Sequence, residues 1–68
     1  MYFVYVLLSE KDGQFYTGHA KYIENRASQH NEGKVISTRN RTPFKLVYYE
    51  ASLNIGDAIH REKYLKTT

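Results

Sequence analysis

The sequence predicts an α+β domain: a three-stranded antiparallel sheet with helices packed on it, in the order β-β-α-β-α. Three observations lead to this class. Two strand-like runs flank a tight turn signal near the start, two segments with helical spacing follow, and a third strand-like run separates those segments. The chain has 68 residues, so we expect a single domain over residues 1–68.

The first strand is predicted over residues 2–8, which are apolar or aromatic on both alternating faces. Such a strand is covered on both sides, so we expect it at the centre of the sheet. Asp12-Gly13 is a strong hairpin signal, and residues 15–19 are the expected partner strand. The run FKLVYYEA at residues 44–51 predicts the third strand.

The two helices are predicted from the signals at their ends. Residues 22–32 form the first, and Gly33 is placed to end it in a left-handed conformation. Asn54 is the expected cap of the second helix, which begins at Ile55. Between the first helix and the third strand, residues 34–43 are polar and basic, which predicts a loop.

Composition narrows the classes of function. Ten Lys and Arg residues against seven Asp and Glu give a formal charge of +3, a mild preference for polyanions such as nucleic acids. No apolar run reaches the ~18 residues of a membrane span, so we expect no membrane partner and no signal peptide. The absence of cysteine excludes disulfides and thiolate metal sites and indicates a cytoplasmic location.

The second helix carries a carboxylate in the middle of its apolar side, at Glu62. The apolar stripe around it consists of Ile55, Ala58, Ile59 and Leu65. A buried carboxylate is costly unless a cation, a metal ion or hydrogen-bond donors meet it. Glu62 is therefore a candidate metal ligand. The alternative is a side chain that leans out of the helix or pairs with a basic neighbour on it.

Polar side chains that could take part in binding or catalysis also occur on the hairpin and the first helix. Tyr5 and Tyr16 are either core aromatics whose hydroxyls need partners or hydroxyls that serve a site. Arg26 and His30 lie four residues apart on the apolar side of the first helix. Arg26 can direct two donors at a phosphate, and His30 can donate to a phosphate or relay a proton. A surface histidine is the open alternative for His30.

The stretch from residue 33 to residue 49 contains no acidic residue. It contains four cations, which are Lys34, Arg39, Arg41 and Lys45. A basic stretch with interleaved polar residues suits contacts to phosphates, which position a nucleic acid without reading its sequence. The alternative is an ordinary solvated loop.

Together these residues resemble the GIY-YIG endonuclease superfamily, most closely the small single-domain bacterial proteins related to the nuclease module of the UvrC excinuclease subunit. The two halves of the family motif correspond to Phe3-Val4-Tyr5 and Tyr16-Thr17-Gly18. The segment YIENRASQHN resembles the family's first helix with its arginine, and DAIHREKYLK resembles the helix with its glutamate. The likeness covers residues 1–66.

The resemblance implies hydrolysis of phosphodiester bonds in DNA with one divalent cation, Mg²⁺ or Mn²⁺. Glu62 would be the metal ligand and Arg26 would bind the phosphate. Tyr5 or Tyr16 would be, or would position, the general base for water. Tyrosine is a poor base at neutral pH, so we expect Arg26 or the metal to lower the pKa of that tyrosine. His30 falls where relatives often carry a histidine or a tyrosine in the site.

Gly18 closes the second motif half, and we expect Gly18 and His19 to lie against nucleic acid together with the basic stretch. Two motif positions differ from the family pattern: Phe3 replaces a glycine and Thr17 replaces an aliphatic residue. Relatives usually continue beyond Lys66 into a further helix that covers the sheet, and we expect that helix to be missing here. Two alternatives to an active nuclease stay open, namely a nucleic-acid-binding module without catalysis and an inactive, shortened fragment.

Overall fold

A computed structural model describes residues 1–66 and confirms the predicted order of elements. The strands are β1 (Tyr2–Ser9), β2 (Phe15–Ala20) and β3 (Phe44–Ser52), and the helices are α1 (Ile23–Asn31) and α2 (Ile55–Lys66). The predicted bounds differ from these by one residue at several ends. The expected lack of a further C-terminal helix concerns the chain beyond residue 66, outside the described residues. Among residues 1–66, neither helix has the length and apolar character needed to cross a membrane.

The three strands form one antiparallel sheet in the order β2-β1-β3, so the first strand lies in the centre, as predicted. Alternate residues of β1 point to opposite faces. Tyr5 and Leu7 pack with Phe44 on the face that α1 covers. Val4 is fully buried on the other face, which α2 covers. Each face of the sheet thus meets one helix, and the position of a residue along a strand decides which helix it meets.

The hairpin between β1 and β2 is closed at Gly13, whose φ of 72° lies in the left-handed region that glycine adopts without steric cost. The backbone N–H of Gly13 donates to the carbonyl of Ser9 over 2.9 Å, and the N–H of Gln14 donates to Asp12 Oδ1 over 2.8 Å. The predicted Asp-Gly turn is confirmed.

Both helix-end predictions are also confirmed. Gly33, with a φ of 75°, ends α1, and its N–H donates to the carbonyl of His30 over 3.2 Å. At the start of α2, Oδ1 of Asn54 accepts a hydrogen bond from the N–H of Gly56 over 2.6 Å. His30 lies in the last turn of α1, on the side that packs against the sheet.

The connection between α1 and β3 is more ordered than the sequence predicts. Arg39–Arg41 form a 3₁₀ turn, and Thr38 before it is fully buried. The Arg41 guanidinium donates to Asp12 Oδ2 over 2.8 Å and to the carbonyl of Gln14 over 3.2 Å. This contact lowers the pKa of Asp12 to about 2. Arg41 therefore ties the loop to the β1–β2 hairpin.

The start of β3 is held by Asn31, the last residue of α1. Its Oδ1 accepts a hydrogen bond from the N–H of Phe44 over 2.6 Å, and its Nδ2 donates to the carbonyl of Phe44 over 3.1 Å. The amide side chain thus pairs with one residue of β3 as a neighbouring strand would. This clamp brings the Phe44 ring beside the His30 ring, with 5.9 Å between the ring centroids.

Candidate active site

Tyr5 and His30 form a buried hydrogen-bonded pair between β1 and α1. Their exposed fractions are 1% and 0%. Tyr5 Oη lies 3.0 Å from His30 Nε2, and the His30 ring packs against Tyr16 with 4.9 Å between the ring centroids. The alternative of a surface histidine is therefore wrong. A ring buried in this way cannot donate to an external phosphate unless the structure rearranges.

Gly18 lies directly opposite Tyr5 in the pairing of β1 with β2. A Cβ atom at Gly18 would lie 2.6 Å from Tyr5 Oη and 2.7 Å from Tyr5 Cζ, which is closer than packed atoms approach. The missing side chain thus makes the space that the phenol end of Tyr5 occupies. The glycine of the second motif half is needed for the position of the tyrosine of the first half. Its contact with nucleic acid stays a prediction.

Arg26 lies one helical turn before His30, and its side chain is partly buried. Nη1 of Arg26 donates to Gln29 Oε1 over 3.1 Å. The guanidinium is close enough to Tyr5 to act on the pKa of its hydroxyl. Arg26 also lines a polar cavity of about 240 Å³ together with Lys21 and Asn25. This position lets one cation contact both the buried cluster and an anion bound in the cavity.

The electrostatics at Tyr5 differ from the expectation. Burial raises the pKa of the Tyr5 hydroxyl, and this effect outweighs the Arg26 guanidinium, which acts in the opposite direction. Arg26 thus acts on Tyr5 in the expected direction, but the expected net lowering of the pKa of a motif tyrosine does not hold for Tyr5. Burial, together with the positive charge of Arg26, also lowers the pKa of His30. At neutral pH the pair consists of a phenol and a neutral imidazole.

Glu62 reaches the hairpin from α2, on the other face of the sheet. Its carboxylate contacts Nδ1 of His19 and Nζ of Lys66, the latter over 2.7 Å. Burial on its own raises the pKa of Glu62, but the hydrogen bonds from Lys66 and His19 outweigh burial, and the pKa is lowered. The carboxylate is charged at neutral pH. It pairs with a basic neighbour on its helix, as one of the open alternatives predicts.

The predicted site residues therefore come from two faces of one sheet. On the α1 face lie Tyr5, Tyr16, Arg26 and His30. Glu62 comes from the opposite face and contacts His19, the neighbour of Gly18 on β2. Its negative charge still raises the pKa of Tyr5, so the carboxylate and the hydroxyl are coupled electrostatically near the edge strand.

A metal site here could draw on few protein ligands. Within residues 1–66, no three His, Asp or Glu side chains are grouped closely enough to hold a metal ion. Glu62 is a single carboxylate with one histidine, His19, beside it. Such a donor set fits Mg²⁺, which keeps several water ligands and takes one or two carboxylates together with substrate phosphates. It does not fit a closed structural zinc site.

The four cations of the basic stretch do not gather at this cluster. Arg41 is engaged with the hairpin, and Lys34 lies 3.8 Å from a carboxylate oxygen of Glu32. Arg39 and Lys45 are exposed. Contact between these side chains and nucleic acid stays a prediction.

Thr38 completes the cluster, and the sequence does not predict this. Its Oγ1 lies 2.7 Å from His30 Nδ1, and the residue is fully buried. A threonine in a polar loop has no periodic pattern that would mark it as buried. The only available signal is indirect: a histidine on an apolar helix face needs a partner for each ring nitrogen.

Known proteins resemble this chain over its whole length. A family model described as the GIY-YIG catalytic domain matches residues 1–68. A UPF0213 protein of Staphylococcus saprophyticus is 40% identical over 67 residues, which are 97% of this chain and 80% of that protein. A UPF0213 protein of Clostridium perfringens is 43% identical over 67 residues, covering 97% and 71% of the two chains. The solution NMR structure of a UPF0213 protein from Bacillus halodurans matches with a TM-score of 0.59 and 36% identity, covering 100% of this chain and 73% of that chain.

Gly18→Ala tests whether the position of Tyr5 depends on the missing side chain. The added methyl group overlaps the phenol, so we expect the free energy of unfolding in urea to fall by about 2 kcal/mol or more. In a Tyr5→Leu background, which lacks both the ring and the hydroxyl, the same change should cost less than about 1 kcal/mol. Equal costs in the two backgrounds would contradict this account.

The lowered pKa of His30 predicts a loss of stability in mild acid. Below the ordinary histidine pKa of about 6.5, the unfolded chain takes up a proton that folded His30 resists. The unfolded state then binds more protons than the folded state. The free energy of unfolding is therefore unaffected by His30 above about pH 6.5, and below that pH it falls by up to about 1.4 kcal/mol per pH unit. Urea unfolding at about pH 7.5 and 5.5 measures this. His30→Gln should lack this part of the slope, and an unchanged slope would refute the prediction.

Proposed function

The chain belongs to the GIY-YIG family, and we propose that it is an endonuclease that hydrolyses phosphodiester bonds in DNA with the help of one divalent cation. The observation that carries the proposal is the cluster of Tyr5, His30, Tyr16 and Arg26, to which the charge of Glu62 is coupled. Each of these residues stands where the family resemblance implies a site residue. The cluster supplies hydroxyls, a permanent cation and a carboxylate, which are the groups that phosphodiester hydrolysis needs.

Arg26 is the proposed phosphate-binding residue. Its planar guanidinium can direct two N–H groups at one phosphate. The cavity that it lines offers space for such an anion. If the scissile phosphate is bound there, Arg26 neutralises charge on two of its oxygens. Negative charge builds up on these oxygens as water attacks.

Tyr16 is the proposed residue that positions the attacking water. Its ring is partly exposed, whereas Tyr5 is fully buried and stays protonated because its pKa is raised. Tyr5 and His30 then support the site from the interior. His30 packs against the Tyr16 ring, and Tyr5 lies beside the guanidinium of Arg26.

Glu62 is the proposed ligand of the divalent cation, Mg²⁺ or Mn²⁺. When bound, the ion supplies charge stabilisation at the departing oxygen. His19 and Lys66 keep the carboxylate ionised in the free protein, which is the form that binds a metal ion. A single carboxylate binds Mg²⁺ weakly without a substrate phosphate, so metal and DNA should bind together.

A nucleic-acid-binding module without catalysis is the second candidate. The observation that favours it is the double pairing of Glu62 with His19 and Lys66, which already satisfies the carboxylate. In that case Glu62 stabilises the contact between α2 and β2. Arg26 and the exposed Arg39 would bind phosphates without cleavage.

Nicking of supercoiled plasmid DNA distinguishes the two candidates. With Mg²⁺ or Mn²⁺ we expect nicking that Arg26→Ala and Tyr16→Phe reduce by about 100-fold or more. Tyr16→Phe should leave DNA affinity nearly unchanged, because it removes one hydroxyl and no charge. Arg39→Ala is the matched control: it should weaken binding and reduce the salt dependence by roughly one charge while nicking persists. If no divalent ion supports nicking and the Arg39 effect remains, the binding module is correct.

Titration with Mg²⁺ followed by amide NMR signals tests the metal ligand. We expect shifts near Glu62 and His19 with an affinity on the order of mM, because most ligands would be water. Glu62→Gln should remove these shifts, and Glu32→Gln, which alters an exposed carboxylate elsewhere, should preserve them. Shifts confined to Glu10, Asp12 and Glu32 would rule out Glu62 as the ligand.

A further inference from the structure

Thr38 is the one fully buried residue of the loop over residues 34–42. Its neighbours Ser37 and Arg39 are exposed, and Ile36 is 80% exposed. A loop that exposes an isoleucine and buries a threonine is not placed by hydrophobic burial. Hydrogen bonds hold it instead: Arg41 ties the loop to the hairpin, and the hydroxyl of Thr38 binds in the interior.

The hydroxyl of Thr38 forms one end of a buried hydrogen-bonded chain. Thr38 Oγ1 lies 2.7 Å from His30 Nδ1, and His30 Nε2 lies 3.0 Å from Tyr5 Oη. All three side chains are fully buried. A neutral imidazole carries one N–H, so one ring nitrogen donates and the other accepts.

The donor and the acceptor in each of these hydrogen bonds follow from the acceptors that each hydroxyl hydrogen can reach. The Thr38 hydroxyl has a second acceptor within reach, the carbonyl oxygen of Val35 at 3.5 Å. The Tyr5 hydroxyl has Arg26 beside it, which offers only donors, and Gly18 opposite it, which has no side chain. The hydrogen of Tyr5 therefore has its acceptor in His30 Nε2, and the proton of the imidazole is on Nδ1.

We propose that Thr38 is a positioning residue that accepts the Nδ1–H of His30 and so, together with Tyr5, stabilises the tautomer in which Nε2 accepts the hydroxyl hydrogen of Tyr5. The oxygen lone pairs of Tyr5 are then free to accept from Arg26. In this way a hydroxyl in the loop sets the orientation of a tyrosine in the central strand, two contacts away.

The consequence for DNA cleavage rests on the proposed function, whereas the hydrogen-bond direction does not. If Tyr5 accepts from Arg26, it helps to fix the guanidinium that binds the phosphate. Without the Thr38 hydroxyl the buried Nδ1–H loses its acceptor, so the second tautomer gains population. In the second tautomer Nε2–H competes with Arg26 for the same Tyr5 oxygen.

The imidazole nitrogen spectrum of the full chain tests the proposal without any substrate. In protein labelled with ¹⁵N at histidine, at about pH 7.5, His30 should show a protonated Nδ1 and an unprotonated Nε2. His30→Gln assigns the signals. A protonated Nε2 in the unmodified protein overturns the proposal, and so does an even mixture of the two tautomers.

Two substitutions test the role of the hydroxyl itself. Thr38→Val keeps the shape and removes the hydroxyl, so His30 should become a mixture of tautomers. Thr38→Ser keeps the hydroxyl and should preserve the single tautomer. Ser37→Ala, which removes an exposed hydroxyl from the same loop, is the control and should change nothing. An unaltered tautomer in Thr38→Val overturns the role of Thr38. If that variant does not fold, the spectra of the unmodified protein and of Thr38→Ser decide.

Cleavage kinetics provide a second readout. Thr38→Val should lower kcat by about tenfold with little change in KM for DNA, and Thr38→Ser should restore kcat to within about twofold. Equal kcat values for Thr38→Val and the unmodified protein overturn the proposed effect on the site. If the unmodified protein does not nick DNA, the nuclease proposal fails, while the nitrogen spectrum still decides the hydrogen-bond direction.

Discussion

The hydrogen bond between Tyr5 and His30 is the interaction on which the rest of the candidate site depends. It joins β1 to α1 in the interior, where an unpaired hydroxyl or imidazole would cost free energy. Gly18 on β2 makes room for the phenol of Tyr5. Thr38, in the loop between α1 and β3, contacts Nδ1 of His30. Contacts around this one pair therefore join β1, β2, α1 and the loop before β3. Arg26 lies one turn before His30 on the same helix.

This polar cluster occupies space that an ordinary small domain would fill with apolar side chains. Among residues 1–66 the fully buried polar residues are Ser9, His30 and Thr38, beside an apolar core centred on Tyr5, Leu7 and Phe44. A chain of 68 residues buries a limited share of its surface, so its stability margin is small.

The edge strand β3 exposes a run of large apolar residues, Leu46 to Tyr49. A bulge at Val47, which has no partner in β1, interrupts this edge and disfavours pairing with another strand.

Much of the fold could be predicted because its signals are local. Gly33 and Asn54 mark helix ends through backbone geometry and capping, which depend on a few neighbouring residues. The candidate site depends on tertiary structure and was predicted less well. The apolar stripe around Glu62 indicated that the carboxylate needs partners, but not that it lies on the opposite face from α1. A lowered pKa was expected for one of the motif tyrosines, but the pKa of Tyr5 is raised because burial outweighs the nearby charge, and burial is not visible in the motif. Thr38 was missed for the same reason.

Tyr5 is a buried phenol, and we infer that it donates its hydrogen within the protein. The most direct test follows the ¹³Cζ signal of Tyr5, assigned with Tyr5→Phe, as the pH is raised. We expect Tyr5 to stay protonated above the ordinary tyrosine pKa of about 10, because burial raises its pKa. Ionisation of Tyr5 at or below that value would contradict the account, since the hydroxyl would then be in contact with solvent or dominated by the positive charge of Arg26.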